Sequence, residues 1–182
     1  MKYCSTCGHP VEHRVPSGDN RHRYVCPSCE TIHYQNPRIV AGTVPVWEGR
    51  ILLCRRAIEP RYGYWTLPAG FMENSETTDE AAARETREEA LAEVTIDELY
   101  TIIHVPHIDQ VHMFYRATLT DGRYGAGEES LETELFEPHD IPWDEISFPT
   151  VKRTLEHFVE DMRSNRFPVR VSDIRHRMGD KR

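Results

Sequence analysis

Glu85, Glu88 and Glu89 stand in the stretch TTDEAAARETREEALAE, whose acidic start, alanine run and helix-forming side chains predict a helix from about Thr78 to Leu91. At 100° per residue the three carboxylates share an arc of roughly 100° on one helix face. Like charges at these spacings repel by about a few tenths of a kcal/mol per pair, so taken alone the pattern reads as a solvated acidic face relieved by Arg84 and Arg87. The glycine- and proline-containing loop RYGYWTLPAGFMENSE, which leads into the helix, changes that balance. Carboxylates gathered beneath such a loop form the hard-oxygen environment that Mg²⁺ or Mn²⁺ prefers, and these ions complete their shells with water and substrate phosphates.

A second cluster is sulfur. Cys4, Cys7, Cys26 and Cys29 fall as C-x2-C-x18-C-x2-C, the spacing of a Zn²⁺ site built from two knuckles. Four thiolates close a tetrahedral shell and leave no position for a substrate, so this metal is structural. Two disulfides would need an oxidising compartment, and the N-terminal MKYCSTCGHP carries no apolar signal segment. Residues 1 to 37 hold few large apolar side chains, so metal binding is expected to supply the folding energy of this part. Cys54, in the apolar run ILLCRR, reads as a small core residue.

The elements that must hold these groups follow from the rest of the pattern. A boundary near Asn36-Pro37 precedes two strands, RIVAGTVPVW and RILLCRR, joined by a turn at Glu48-Gly49, with Pro45 predicting an irregular or edge position. VTIDELYTIIHV, VHMFYRATLT and LETELFEP read as further strands, and TVKRTLEHFVEDMRS as a closing amphipathic helix. The segment 163 to 182 carries seven Lys/Arg against two Asp and is expected to be a basic tail, which beyond Phe167 is mobile or docked on a partner chain rather than part of the core. The 182 residues carry a net charge of −8, and with +5 on that tail and +1 on residues 1 to 37 the body between them holds −14. A body so negative argues against nucleic acid as a partner. No apolar run approaches the ~18 residues of a membrane span, and a cytoplasmic location is the default expectation.

Gly70, five residues, Glu76, seven residues, then Arg84-Glu85-Thr86-Arg87-Glu88-Glu89 resembles the Nudix box, G-x5-E-x7-R-E-U-x-E-E-x-G-U, and the preceding WTLPAGF is similar to the loop that enters it. The resemblance implies an α/β fold, a Nudix α/β/α sandwich with a mixed sheet over residues 38 to 162, preceded by a small zinc-ribbon domain at residues 1 to 37. Two positions depart from the box: Thr86 stands at an aliphatic position, and Leu91 where a glycine ends the helix, which predicts that the helix runs on or closes differently. Carried over residue by residue, the resemblance implies that Glu85, Glu88 and Glu89 bind Mg²⁺ or Mn²⁺ with the main-chain carbonyl of Ala69, and that Arg84 pairs with Glu76 to hold the loop against the helix. Family enzymes hydrolyse a nucleoside diphosphate linked to another group. The proton acceptor for the attacking water is expected in the box or in the later segment GAGEESLETE, which offers Glu128, Glu129, Glu132 and Glu134, with Glu129 and Glu132 preferred.

The substrate is then expected to be a small dinucleotide. Family members acting on ADP-ribose carry a proline about fifteen residues beyond the box glycine, and Pro106 stands fifteen after Leu91. A ribbon before the box also resembles the NADH pyrophosphatases, whose relatives remove NAD caps from RNA, but their SQPWPFPxS-type signature has no counterpart in AEVTIDELYTIIHVPHIDQ. The GYWTLPAGFMENSET type of sequence is most similar to ribbon-bearing enzymes that cleave ADP-ribose and FAD. Arg55 and Arg56 end a strand where they can meet phosphate, and Trp65, with Tyr62, Tyr64 and Phe71, offers rings for stacking on adenine or flavin. The competing readings are a noncatalytic domain that senses such a nucleotide, against which the intact glutamates argue, and an adaptor built around the ribbon. A homodimer is implied as well, because related ADP-ribose enzymes pair to complete their sites.

Overall fold

The computed structural model describes residues 1 to 175. The chain divides into two compact units, Met1–Pro37 and a second beginning at Arg38. The first holds three short antiparallel strands in the order β1 (Glu12–Arg14), β2 (Arg23–Val25) and β3 (Ile32–His33). Its buried hydrophobic side chains are Cys4, Val25 and Cys26, too few to stabilise a fold without a crosslink.

The second unit opens on the hairpin of β4 (Arg38–Trp47) and β5 (Arg50–Arg56). Glu48 and Gly49 both take positive φ there, the pairing that a two-residue hairpin turn demands. The short strands β6 (Trp65–Thr66) and β7 (Ala69–Phe71) follow, then helix α1 (Thr78–Ala90), β8 (Val94–Val105), β9 (Gln110–Leu119), β10 (Ser130–Phe136), helix α2 (Pro149–Ser164) and β11 (Arg170–Asp173). The strands form one mixed sheet in the order β10-β5-β4-β9-β8-β11, with β6 and β7 added alongside β5 and β4. The pairs β4–β9 and β8–β11 are parallel and the others antiparallel.

The run ILLC explains why helices cover both faces. Ile51, Leu52, Leu53 and Cys54 are all 0% exposed. Side chains alternate along a strand, so Ile51 and Leu53 join Val151, Leu155 and Phe158 of α2, whereas Leu52 and Cys54 pack on the other face with Ala90 of α1. The sheet between two helices is the α/β/α sandwich. On α1 the buried apolar positions are Ala81, Ala82 and Ala90. Such small side chains let the helix lie close to Ala41 of β4.

Several expectations are corrected. Of the two positions expected for Pro45, the edge is corrected and the irregular one stands: β4 is interior and pairs with β9 along Arg38–Val46, while its other side is broken around the proline. The proline is tolerated because Thr43 directs its N–H to Pro68 on the other side, and the nitrogen two residues on faces that same side, where the ladder lapses between Gly42 and Val46. Leu91 does not prolong α1: it takes the left-handed conformation (φ 45°, ψ 34°) and ends the helix as a glycine would. Thr86 is fully buried, its hydroxyl donating to the Ala82 carbonyl at 2.7 Å and meeting the Thr43 hydroxyl at 2.7 Å. A polar group at an apolar box position is thereby satisfied by a second threonine on β4.

The basic C-terminal segment also differs from expectation. Phe167 packs on the core with its ring centroid 5.2 Å from Phe158, and β11 continues the sheet beside β8. Arg170 donates to the buried carboxylate of Asp161, which also accepts the Tyr100 hydroxyl at 2.7 Å. The remainder of the expected tail, residues 176 to 182, lies outside the described residues. Among the described residues no helix is long and apolar enough to cross a membrane.

Burial pushes the Asp161 carboxyl up, but Arg170 and Tyr100 outweigh it and hold the group below its ordinary value. A lowered carboxylate contributes stability that is complete above the unfolded value, about pH 4, and is lost as pH falls through the folded one. Asp161→Asn should therefore cost about 2 kcal/mol in urea unfolding at pH 7, with the gap to wild type narrowing as pH falls below about 4. A gap independent of pH would refute the ion-pair account. For Leu91→Gly, relief of the left-handed strain exceeds the added chain entropy, so a stabilisation of about 0.5–1 kcal/mol is expected in the same measurement.

Candidate active site and zinc centre

The helix that carries the glutamates is started by a capping box: the Thr77 side chain accepts from Glu80 N–H at 3.4 Å, and Glu80 accepts from Thr77 N–H at 2.8 Å. One turn further on, Arg84 reaches back over the preceding loop. Its Nε and Nη2 grip the two oxygens of Glu76 at 3.0 and 2.8 Å, and Nη2 also reaches the Phe71 carbonyl at 3.2 Å. Nη1 meets Glu85 at 2.7 Å and Glu88 at 3.1 Å. Glu76 further accepts the Glu73 N–H at 2.6 Å, and these bonds, led by that from Arg84, hold its carboxyl down at about 2.

Glu85 and Glu89 are buried and Glu88 is exposed. Burial pushes the Glu85 carboxyl above its ordinary value despite Arg84. Glu89 is pushed up to about 8 by burial and then by the charge of Glu85, with the Ala69 N–H at 3.3 Å and the charge of Arg56 acting the other way. Two carboxylates held out of water a turn apart favour a proton or a cation. Hard oxygens of this kind suit Mg²⁺ or Mn²⁺, so the donor set fits such an ion.

Two glycines make room. A Cβ on Gly70 would stand 2.4 Å from the Glu85 carboxylate, and one on Gly127 would stand 1.7 Å from the Glu88 carbonyl oxygen. The second contact belongs to a loop that crosses the end of α1, with Gly125 and Gly127 N–H donating to the Ala90 and Glu89 carbonyls at 2.8 and 3.0 Å. These bonds satisfy carbonyls that a helix end leaves unpaired. The same loop delivers Glu128 and Glu129 beside the helix, and the Glu129 carbonyl is tied to Ala57 N–H at 2.8 Å.

The result is a cleft of about 620 Å³. Of the expected site residues it brings together Ala69, Arg84, Glu85, Glu88, Glu89, Glu129 and Arg56, with Glu76 behind Arg84. Others lie elsewhere. Glu132 lies on β10, 2.7 Å from the guanidinium of Arg55, which also donates to the Gly63 carbonyl; neither residue lines the cleft. The register shift between Ser130 and Glu132 separates them from Glu129. Trp65 is 6% exposed and packs edge-on against Phe136, so it belongs to the core rather than to a stacking surface. Pro106 opens an exposed 3₁₀ turn, Pro106–Ile108, away from the cleft. Glu73 and Ile58, absent from the sequence expectations, line it; the nearest sequence signal was the loop itself, since Glu73 lies three residues before Glu76.

In the first unit the four cysteines are free thiols whose sulfurs all lie within 4.8 Å of one another. Cys4 and Cys29 are 3.7 Å apart and Cys7 and Cys26 3.5 Å, close to the ~3.8 Å edge of a tetrahedron with 2.3 Å metal–sulfur bonds. The two knuckles match: Gly8 and Glu30 donate to the Cys4 and Cys26 carbonyls, and both take positive φ. Thr6 N–H and His33 Nε2 lie 3.4 and 3.3 Å from Cys4 Sγ, and the Thr31 hydroxyl lies 3.1 Å from Cys29 Sγ. Polar contacts of this kind spread thiolate charge and orient the ligands. The set fits zinc.

A sandwich with this glutamate helix beneath a glycine loop, joined to a four-cysteine ribbon, defines a class. Residues 36–158 match the model of the NUDIX domain and residues 2–35 that of the Nudix N-terminal zinc ribbon, so the chain belongs to the Nudix family. Among solved structures, a NUDIX hydrolase from Nitrosomonas europaea is 49% identical with a TM-score of 0.93, covering 96% of this chain and 99% of that one. An ADP-ribose pyrophosphatase from Methanocaldococcus jannaschii is 27% identical over 113 residues, 60% of this chain and 67% of that protein. A NAD-capped RNA hydrolase NudC from Chromobacterium violaceum is 42% identical over 84 residues, 46% of this chain but only 31% of that protein. The chain spans between 30% and 59% of the length of the NudC relatives it matches.

Purified protein should contain about one zinc per chain by elemental analysis. Chelation or Cys26→Ser should unfold the first unit, read as loss of amide dispersion for residues 1 to 37; a metal-free chain with that unit intact would contradict the assignment.

Proposed function

We propose that this protein hydrolyses the diphosphate bond of a small dinucleotide or nucleoside diphosphate derivative, with FAD or ADP-ribose as the favoured substrates and AMP as one product. The observation that carries the reading is the convergence of Glu85, Glu88, Glu89 and Arg56 on one cleft whose buried carboxylates favour a cation. Mg²⁺ or Mn²⁺ held by Glu85, Glu88, Glu89 and the Ala69 carbonyl would supply a Lewis acid that acidifies water and neutralises charge on the diphosphate. Arg84, pinned by Glu76, keeps Glu85 and Glu88 aimed. Glu129 takes the proton of the attacking water as its oxygen bonds to phosphorus; the P–O bond to the bridging oxygen breaks and the second phosphate half leaves. ADP-ribose then yields AMP and ribose 5-phosphate, and FAD yields AMP and FMN.

A second reading, NADH pyrophosphatase or NAD-cap removal, is supported by the NudC relatives. A panel of FAD, ADP-ribose, NADH, CoA and diadenosine polyphosphates separates the two by which member is hydrolysed fastest. Glu88→Gln should lower kcat about a thousandfold on the best substrate. Tight binding by wild type without any turnover would replace the enzyme reading with the sensor one.

A further inference from the structure

The strand β4 begins beside the cleft with a cation. Arg38, its first residue, is exposed, and its guanidinium lies over the Phe71 ring, 4.6 Å from the centroid. Phe71 lines the cleft, follows the glycine that abuts Glu85, and gives its carbonyl to Arg84. Register explains the contact. Val40 pairs with Phe71 across β4 and β7, and residues two apart on a strand share a face, so Arg38 meets the ring diagonally. The main chain is fixed as well, since the Arg38 N–H donates to the Asp109 carbonyl at 2.9 Å.

The guanidinium is otherwise uncommitted: among the described residues no carboxylate or carbonyl bonds it. The ring sets its plane and leaves its edge of N–H donors open. Gln110 stands in register with Arg38 on the neighbouring strand β9, and so on the same face. Its side-chain oxygen accepts from His112 Nε2 at 2.9 Å, which aims the amide and leaves the NH₂ group for another acceptor. A guanidinium and an amide, each oriented by a neighbour and each with unused donors, suit one tetrahedral oxyanion.

The surrounding charge selects which oxyanion. Six carboxylates line the cleft, and the Arg84 guanidinium is taken up by Glu76, Glu85, Glu88 and the Phe71 carbonyl. A phosphate beyond the diphosphate would be repelled by that wall unless a cation received it, and at the Phe71 rim Arg38 is such a cation. Only Gly70 and the Phe71 ring separate it from Glu85, so a group held there sits about a nucleoside's breadth from the diphosphate, where a ribose carries its hydroxyls.

We propose that Arg38 and Gln110 form a second anion subsite at the rim of the cleft, and that it takes a phosphomonoester on a ribose of the dinucleotide, so that 2′- or 3′-phosphorylated substrates are bound in preference to their unphosphorylated forms. This rests on the hydrolase reading above.

The test measures kcat/KM on the full chain with Mg²⁺ for pairs that differ by one phosphate: ADP-ribose 2′-phosphate and ADP-ribose, NADPH and NADH, CoA and 3′-dephospho-CoA. In at least one pair wild type should favour the phosphorylated member by about fivefold or more, through KM. Arg38→Ala should lower that ratio about threefold or more and Arg38→Lys less, because an ammonium keeps the charge but not the fork. Gln110→Ala should lower it about twofold, and it carries the test should Arg38→Ala not fold. Arg50→Ala, which removes the same charge from a residue outside the cleft lining, should leave the ratio as it is. Thermal melts of each variant separate loss of grip from loss of fold. A smaller preference in every pair, or a folded Arg38→Ala that keeps the wild-type ratio, overturns the inference while the hydrolase reading stands. Should wild type turn over no member of any pair, the hydrolase reading falls, and calorimetric Kd ratios for the same pairs, with Arg38→Ala beside wild type, decide the inference by the same criteria; binding of no member overturns it too.

Discussion

The site depends on one guanidinium. Three glutamates crowded on adjoining turns of α1 repel one another, and two of them are buried, so the arrangement would splay or protonate without an organising cation. Arg84 supplies it with five contacts, two to Glu76, one to the Phe71 carbonyl, and one each to Glu85 and Glu88. The planar fork matters more than the charge: an ammonium cannot hold both Glu76 oxygens and still reach the helix carboxylates on the other edge. Loop, helix and acidic cluster are thereby one mechanical unit.

Close backbone approach is the second constraint. The alanine face of α1 brings the helix against β4, Gly70 lets β7 pass over the Glu85 carboxylate, and Gly127 lets the acidic loop lie on the last turn of α1. Each of these positions excludes a larger side chain for a geometric reason, and together they set the floor and one wall of the cleft. The sheet provides the rest, because β5 ends at Arg56 where the loop after Gly127 returns to form β10.

The ribbon solves a different problem. With three buried hydrophobic side chains it has no core to speak of, and its order comes from paired turns that present four sulfurs at tetrahedral spacing. The repetition of the same carbonyl bonds and positive φ at Gly8 and Glu30 is what makes the turns equivalent. Glu30 accepts a conformation that glycine takes more readily, which the metal site would hold in place.

What local spacing alone decided is considerable: α1, the i, i+3 and i, i+4 glutamates, the four cysteines, and a β5 whose unbroken apolar run requires cover on both faces. These are legible because helix and strand periods are properties of a few neighbouring residues. Tertiary structure decided which neighbour meets the cleft. Arg55 and Arg56 are adjacent letters on opposite faces of one strand, and only the packing of the sheet assigns Arg56 to the site. A bulge at the start of β10 parts Glu129 from Glu132, the partnership of Thr86 with Thr43 spans 43 residues, and a basic segment becomes a parallel edge strand because Asp161 and Tyr100 are buried where Arg170 can reach them. Contacts between residues so far apart in the chain leave no periodic trace, so the fold had to bring them together before their roles could be read.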